Sequence, residues 1–357
     1  MIIQQVYKNL HLPCQHWYDF ENKDSRDAAK DVAIEVERLK KEGVQGIVMD
    51  VRDNGGGSLK TVVDIAGLFI DQGPIVQIKS AAGKKEVLYD RDAKVQWDGP
   101  LVVMINEFSA SASEILAAAI QDYKRGVVIG SKQSYGKGTV QNVIDLNQFV
   151  RGSTYGDLGA LKTTTQKFYR INGGSTQLEG VKSDIAIPDK YAYLKMGERD
   201  IDNAMPWDKI DPANYKIWDK QNNFDLAIKK SRARMQANPQ LQLIDDNAKW
   251  LDERNKENVY SLNIDKFKAE QKALEEKNKK YKPIADYKNE FVFNSLPYEL
   301  EAMDKDNVLK EKRERWHESL SKDIYIEEAI HILNDLQMEN NKGLSNKVKK
   351  EKVAVKS

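Results

Sequence analysis

The sequence is poor in the two residue types that most often build metal sites and catalytic triads. It has one cysteine, Cys14, and four histidines, which are His11, His16, His317 and His331. A single cysteine excludes an internal disulfide and a cysteine-based zinc site. Because no histidine lies between Trp17 and Trp316, the sequence disfavours a Ser-His-Asp enzyme and a histidine-rich metal site in the body of the chain.

The sequence also lacks an excess of either charge and any long apolar run. Lys and Arg number 56 and Asp and Glu 55, a net charge of +1, which removes the simplest case for nucleic-acid binding. No stretch approaches the roughly 18 apolar residues of a membrane span. Residues Met1–Trp17 contain no apolar core of an export signal, so no signal peptide is predicted.

Between Ala29 and Ile129 short apolar strands alternate with helical periodicity, which is typical of an α/β core with helices on both faces. A helix is predicted to end near Gly43, and Leu59–Ile70 and Ser111–Tyr123 have the pattern of two more helices. The predicted strands are Gly46–Val51, Ile75–Ile78, Lys85–Tyr89, Leu101–Ile105 and Val127–Ile129.

The composition changes near Asp189, after which polar and charged residues dominate. Helical patterns recur at Phe224–Ala237, Leu241–Glu257, Ile264–Lys282 and Ile324–Met338. The tail from residue 341 to 357 has six lysines, one glutamate and no core-forming pattern, and is predicted to be disordered. The sequence therefore predicts four parts: an N-terminal segment at 1–20, an α/β core at 21–189, a helical domain at 190–340 and a basic tail at 341–357.

Three segments of the core could carry chemistry. The first is the turn Gly55-Gly56-Gly57, whose exposed N–H groups could bind an anion or a developing oxyanion, or which could be a tight turn only. A phosphate loop fits poorly, because neither the G-x-x-x-x-G-K-[ST] nor the G-x-G-x-x-G spacing is present.

The second segment is Ser109–Ile115, which places Ser111 at a strand-to-helix junction with helix N–H groups nearby. The alternative is that its serines and Glu114 only cap the helix. The third segment is Gly136-Lys137-Gly138. With no histidine in the core, a desolvated lysine could serve a serine nucleophile as its base, and Gln141 could hold the amine in place.

These segments, with Thr165–Gln177, Gly180–Ile185 and Ala204–Asp208, resemble the C-terminal processing peptidases, in particular the bacterial tail-specific proteases. The resemblance runs from about Tyr18 through the helical C-terminal domain. It implies a crotonase/ClpP-like α/β protease core followed by a mostly α-helical domain. It also implies a serine endopeptidase that needs no metal or organic cofactor.

The resemblance assigns roles by position in the motifs. The nucleophile would be Ser111, the general base Lys137 and the residue orienting that base Gln141. The oxyanion hole would be two backbone N–H groups, one from Ala112 and one from Gly55 or Gly56. The remaining supporting candidates are Asp122 and Glu114.

The resemblance further implies substrates with apolar C-terminal tails, an adaptor or homo-oligomeric partner, and a periplasmic or cell-envelope location. It also implies a helical region and a PDZ domain ahead of the core, whereas this chain begins where a PDZ domain would end. The chain would then be a fragment, or a protein that has lost its front. Two rival functions stay open: an inactive remnant that binds peptides or a partner, and a crotonase-like acyl-CoA enzyme.

Overall fold

The computed structural model describes residues 27–150, 156–219 and 224–337. The described residues form two compact units. The first contains the residues up to 186, together with 195–219, 224 and 336–337; the second contains 187–194 and 225–335. The predicted N-terminal segment 1–20 and basic tail 341–357 lie outside the described residues. The domain boundary predicted at 189/190 stays a prediction.

Four of the strands form a parallel sheet in the first unit. Its order is β1-β4-β5-β8, and β1, β4 and β5 are buried along their whole length. Strands buried on both faces have uninterrupted apolar sequences, which is why these three were predictable. The strands of the described residues are β1 (Ile47–Asp50), β2 (Gly73–Ser80), β3 (Lys85–Asp90), β4 (Leu101–Ile105), β5 (Val127–Gly130), β6 (Thr139–Asp145), β7 (Ala160–Tyr169) and β8 (Ile185–Ala186).

The other four strands form an antiparallel sheet, in the order β3-β2-β7-β6. The sequence predicted β2 and β3 but placed them in a single α/β core, and it predicted neither β6 nor β7. The mixed α/β class is confirmed, but the core contains two sheets rather than one. β6 and β7 extend as a ribbon whose outer part is largely exposed, so no alternation of buried and exposed residues marks them in the sequence.

Helix α3 positions Ser111, the residue that directly precedes it. Residues Ala112 to Ile120 are all buried, and the helix contacts α2, β4 and β5 as well as β2 of the second sheet. The helices of the described residues are α1 (Ala28–Lys41), α2 (Leu59–Gly67), α3 (Ala112–Asp122), α4 (Phe224–Ala237), α5 (Pro239–Lys256), α6 (Ile264–Lys279), α7 (Lys282–Ala285), α8 (Pro297–Met303) and α9 (Asn307–Ser321), with short 3-10 helices at Leu146–Phe149 and Glu198–Asp200.

The second unit is helical, as predicted. It contains nearly all of α4, the helices α5 to α9, and a last helical stretch that begins at residue 324. Arg234 of α4 pairs with Glu328 and Asp335 of that stretch, at 2.6 Å in each case. Among the described residues, no helix combines the length and the hydropathy needed to cross a bilayer.

Candidate active site

Ser111 occupies a strained turn at the start of α3. Its φ is 55° and its ψ is −114°, a backbone conformation that residues other than glycine rarely adopt. Its backbone N–H donates to Glu114 Oε2 at 2.8 Å. Its hydroxyl makes no hydrogen bond to the N–H groups of the helix, so the side chain does not cap the helix. The turn therefore presents a half-buried hydroxyl at the N-terminus of α3.

Glu114 joins the nucleophile candidate to the lysine loop. This fully buried carboxylate accepts four hydrogen bonds, from Ser111 N, Lys137 N, Gly136 N and Ser134 Oγ. One oxygen, Oε2, accepts from Ser111 N at 2.8 Å and from Lys137 N at 3.0 Å. Burial raises the pKa of Glu114 to about 7, and the four hydrogen bonds oppose that rise. The ionised form fits the site, because all four neighbours are donors.

The backbone of Gly136-Lys137-Gly138 is fully hydrogen-bonded. Glu114 accepts from the first two N–H groups, and Gln177 Oε1 accepts from Gly138 N at 2.9 Å. The three carbonyl oxygens accept in turn from Leu178 N, Thr176 Oγ1 and Phe168 N. With six of six polar groups paired, the tripeptide is held firmly although it lies outside any helix or strand.

The amine of Lys137 is the part of this tripeptide that remains available. Its Nζ donates to Gln141 Oε1 at 3.2 Å. Burial of the ammonium and the nearby charge of Lys162 lower the pKa of Lys137, while Glu198 and Glu114 act in the opposite direction. The structure thus places Gln141 against the lysine, as the sequence proposed, and gives the amine a larger neutral fraction than a free lysine has.

The two candidate glycines of the turn are not equivalent. Gly56 has φ +104°, and a Cβ added to it would lie 2.7 Å from Ser111 Cβ and 2.9 Å from Ala112 N. Its own N–H donates to Asn54 Oδ1 at 2.8 Å. A Cβ on Gly55 would meet nothing within 4 Å. Within the described residues the N–H groups of Gly55 and Ala112 make no hydrogen bond, so both are unpaired donors, and Ala112 directly follows Ser111 in the chain.

The glycine turn is tied directly to the serine turn. The carbonyl of Asn54 accepts from Ala110 N at 3.0 Å and from Ser113 Oγ at 3.0 Å. Ser109 Oγ donates to the carbonyl of Val51 at 2.8 Å. Three hydrogen bonds thus hold the ends of β1 and β4 together, at the edge where parallel sheets usually carry their sites.

Asp122 lies away from this cluster. It ends α3, about 16 Å along the helix from Ser111 at 1.5 Å per residue. Its carboxylate pairs with Arg170, at 2.5 Å to Nη2 and 3.1 Å to Nε, and accepts from Asn172 Nδ2 at 2.8 Å. Asp122 therefore fixes the loop that follows β7 to the far end of the helix.

Sequence reasoning missed the residues that reach the lysine loop from a distance. Gln177 is fully buried and joins Gly138 N to the carbonyl of Met205. Ser134 and Thr176 contribute the hydroxyl bonds described above. No local pattern marks such partners, because their hydrogen bonds connect segments separated by many residues. Among the described residues, no group of three or more His, Cys, Asp or Glu side chains could hold a metal ion.

Two protein-family models match the chain. Residues 16–187 match peptidase family S41, and residues 191–338 match the C-terminal domain of tail-specific protease. Both domains are present. The serine turn, the glycine turn and the lysine loop all lie within the first match.

Three known proteins illustrate what this chain is similar to. A tail-specific protease of Haemophilus influenzae is 43% identical over 245 residues, 68% of this chain and 35% of that protein. A carboxy-terminal-processing protease of Bartonella bacilliformis is 38% identical over 176 residues, 47% of this chain and 37% of that protein. The solved photosystem II D1 C-terminal processing protease is 31% identical, with a TM-score of 0.39 over 44% of this chain and 39% of that one. This chain thus spans little more than a third of these relatives.

Proposed function

We propose that this chain, which belongs to peptidase family S41, is a serine endopeptidase with Ser111 as nucleophile and Lys137 as general base. The observation that carries the proposal is the shared acceptor: the backbone N–H groups of Ser111 and Lys137 donate to one oxygen of Glu114. This fixes the serine turn and the lysine loop against each other. The core 21–189 would hold the chemistry, and the helical domain 190–340 would follow it.

The reaction is acyl transfer followed by hydrolysis. The neutral amine of Lys137 takes the proton of the Ser111 hydroxyl as Oγ attacks the peptide carbonyl carbon. The resulting ammonium gives that proton to the leaving amine when the C–N bond breaks. Lys137 then takes a proton from water as the water oxygen attacks the acyl-serine carbon, and it returns a proton to Ser111 Oγ when the ester C–O bond breaks and the second product leaves. Gln141 accepts from Nζ and so limits the positions that the amine can take.

The negative charge that develops on the carbonyl oxygen needs donors with no other partner. Ala112 N and Gly55 N meet that condition within the described chain, and Gly56 brings its strand end up against the serine turn. We assign the oxyanion hole to Ala112 N and Gly55 N, with Gly56 as the residue that permits the close approach. Such donors stabilise the transition state more than the bound substrate.

Cleavage of an unfolded protein with an apolar C-terminal tail tests the function, comparing the parent chain with Ser111→Ala. We expect the parent to release peptides and Ser111→Ala to release none, because the nucleophilic oxygen is missing. Thermal unfolding of both chains is the control for folding. Cleavage that persists in a folded Ser111→Ala would contradict the assignment. A folded parent chain without Ser111-dependent cleavage would favour the peptide-binding remnant.

Gly56→Ala and Gly55→Ala are a matched pair of variants. We expect Gly56→Ala to lower kcat by about 100-fold or more, because its Cβ would displace the serine turn and an oxyanion donor. Gly55→Ala should keep most of the activity, since space is open there and its N–H remains. Kinetics and unfolding temperature of both variants check this. Equal effects of the two changes would refute the distinction.

The proposals for substrate class and location are supported by the similarity alone. Relatives are named tail-specific and carboxy-terminal-processing proteases. Apolar, flexible C-terminal tails would accordingly be the substrates, and the bacterial periplasm or cell envelope the site of action. An adaptor or a second copy of the chain would be the partner.

A further inference from the structure

A carboxylate outside the core motifs reaches the lysine loop. Glu198 begins the short 3-10 helix Glu198–Asp200. It lies within the stretch matching the C-terminal domain of tail-specific protease, yet it belongs to the same compact unit as Ser111 and Lys137. The stretch that follows the peptidase match therefore returns to the active site with an acidic residue.

Two hydrogen bonds fix Glu198 there. Its backbone N–H donates to the carbonyl of Tyr135 at 2.9 Å, two residues before Lys137. Its Oε1 accepts from Gln177 Nε2 at 3.3 Å. The same Gln177 accepts from Gly138 N through its Oε1. Glu198 is thus connected to the loop on both sides of the lysine.

We propose that Glu198 is a positioning residue for the Lys137 base: it holds the lysine loop through Gln177 and Tyr135, and it adds a negative charge that favours the protonated form of the amine. This inference rests on the proposed function of Lys137. It assigns to the C-terminal stretch a direct part in tuning the active site.

The charges that face the Lys137 amine have opposing effects. Burial and Lys162 of β7 lower the pKa of Lys137, and Glu198 and Glu114 raise it. Of the two acids, Glu114 is buried and accepts hydrogen bonds from four backbone and hydroxyl donors. Glu198 is only half-buried. Removing the charge of Glu198 therefore leaves the loop hydrogen bonds of Glu114 intact and shifts the balance toward the neutral amine.

The variant Glu198→Gln isolates this charge. An amide oxygen can still accept from Gln177, so the connection to the loop is preserved while the negative charge is lost. Glu179→Gln is the matched control. It makes the same change of charge on an exposed glutamate that pairs with Lys182 and does not act on Lys137.

Competitive acetylation of the intact chain with acetic anhydride, across a pH series, measures the neutral fraction of Lys137. Mass spectrometry of the peptide that carries Lys137 gives the pH midpoint of labelling. We expect the midpoint to move to lower pH in Glu198→Gln and to stay unchanged in Glu179→Gln. A midpoint that is the same in Glu198→Gln and the parent overturns the inference, whether or not the chain cleaves peptides.

The pH profile of kcat/KM is the second measurement. The rise of kcat/KM with pH should move to lower pH in Glu198→Gln, in step with the labelling midpoint, and a merely structural role would lower the rate without moving the profile. A parent chain without Ser111-dependent cleavage contradicts the proposed function instead, and the labelling result then decides the electrostatic role of Glu198 by itself.

Discussion

Lys137→Arg should abolish cleavage while the fold and the positive charge are retained. A guanidinium does not release its proton in proteins, so it cannot take the proton of the Ser111 hydroxyl. General-base catalysis typically contributes about 100-fold to 10,000-fold to a rate, and a loss of at least that size is expected in kcat. The measurement is single-turnover cleavage together with the unfolding temperature of the variant.

Lys132→Arg is the matched control for that change. Lys132 lies exposed in the same loop, and its backbone carbonyl, which the substitution keeps, accepts from Ser183 N. A Lys137→Arg chain that cleaves as well as Lys132→Arg would show that another group is the base.

In the parent chain, activity should increase with pH as Lys137 loses its proton. This increase should occur below the pKa of an ordinary lysine, because burial lowers the pKa of Lys137.

Glu114→Ala should reduce stability and activity together. It would remove the acceptor of four buried or half-buried donors, from Ser111, Ser134, Gly136 and Lys137. A buried donor without a partner costs about 1–3 kcal/mol, and the donors of Ser134 and Gly136 are buried, so a loss of about 2 kcal/mol or more is expected. Denaturant unfolding measures the loss of stability, and cleavage by the folded fraction measures the loss of activity.

Glu114→Gln separates the hydrogen bonds from the shape of the side chain. An amide has one oxygen, and its NH₂ group would face two of the donors that the carboxylate now accepts from. We expect a stability between those of the parent and Glu114→Ala, again with reduced kcat. Unchanged stability in Glu114→Ala would mean that water or another group satisfies the donors, and that Glu114 does not hold the two loops together.

Three of the four strands of the parallel sheet were predictable from sequence, and the short β8 was not; the antiparallel sheet was predictable only in part. β1, β4 and β5 are buried throughout, so each is a continuous apolar run. β2 and β3 were predicted as strands, but their partners were not, because strand pairing depends on segments far apart in the chain. β7 pairs with β2, although most of the sequence of the core separates the two strands. The outer half of β7 faces solvent and has no apolar face.

The same contrast applies to the site. Local motifs drew attention to the segments around the serine and the lysine, because each motif combines small residues with one reactive group, and the family resemblance assigned the roles to Ser111, Lys137 and Gln141. They proposed Gly55 and Gly56 as equals, and only the three-dimensional contact of Gly56 with Ser111 separates the two. Glu114 had the sequence signature of a helix cap. Glu114 also binds the lysine loop, because it accepts a hydrogen bond from Lys137 N, which is far from Glu114 in the sequence.

The shared acceptor Glu114 also links the timing of activity to the timing of folding. In a newly made chain, Ser111 and Lys137 are ordinary side chains on separate segments, and the serine turn has no reason to adopt its strained conformation. Only closure of the core buries Glu114 and brings both segments to its carboxylate. On the proposed function, the ability to cut would therefore arise only together with the native core.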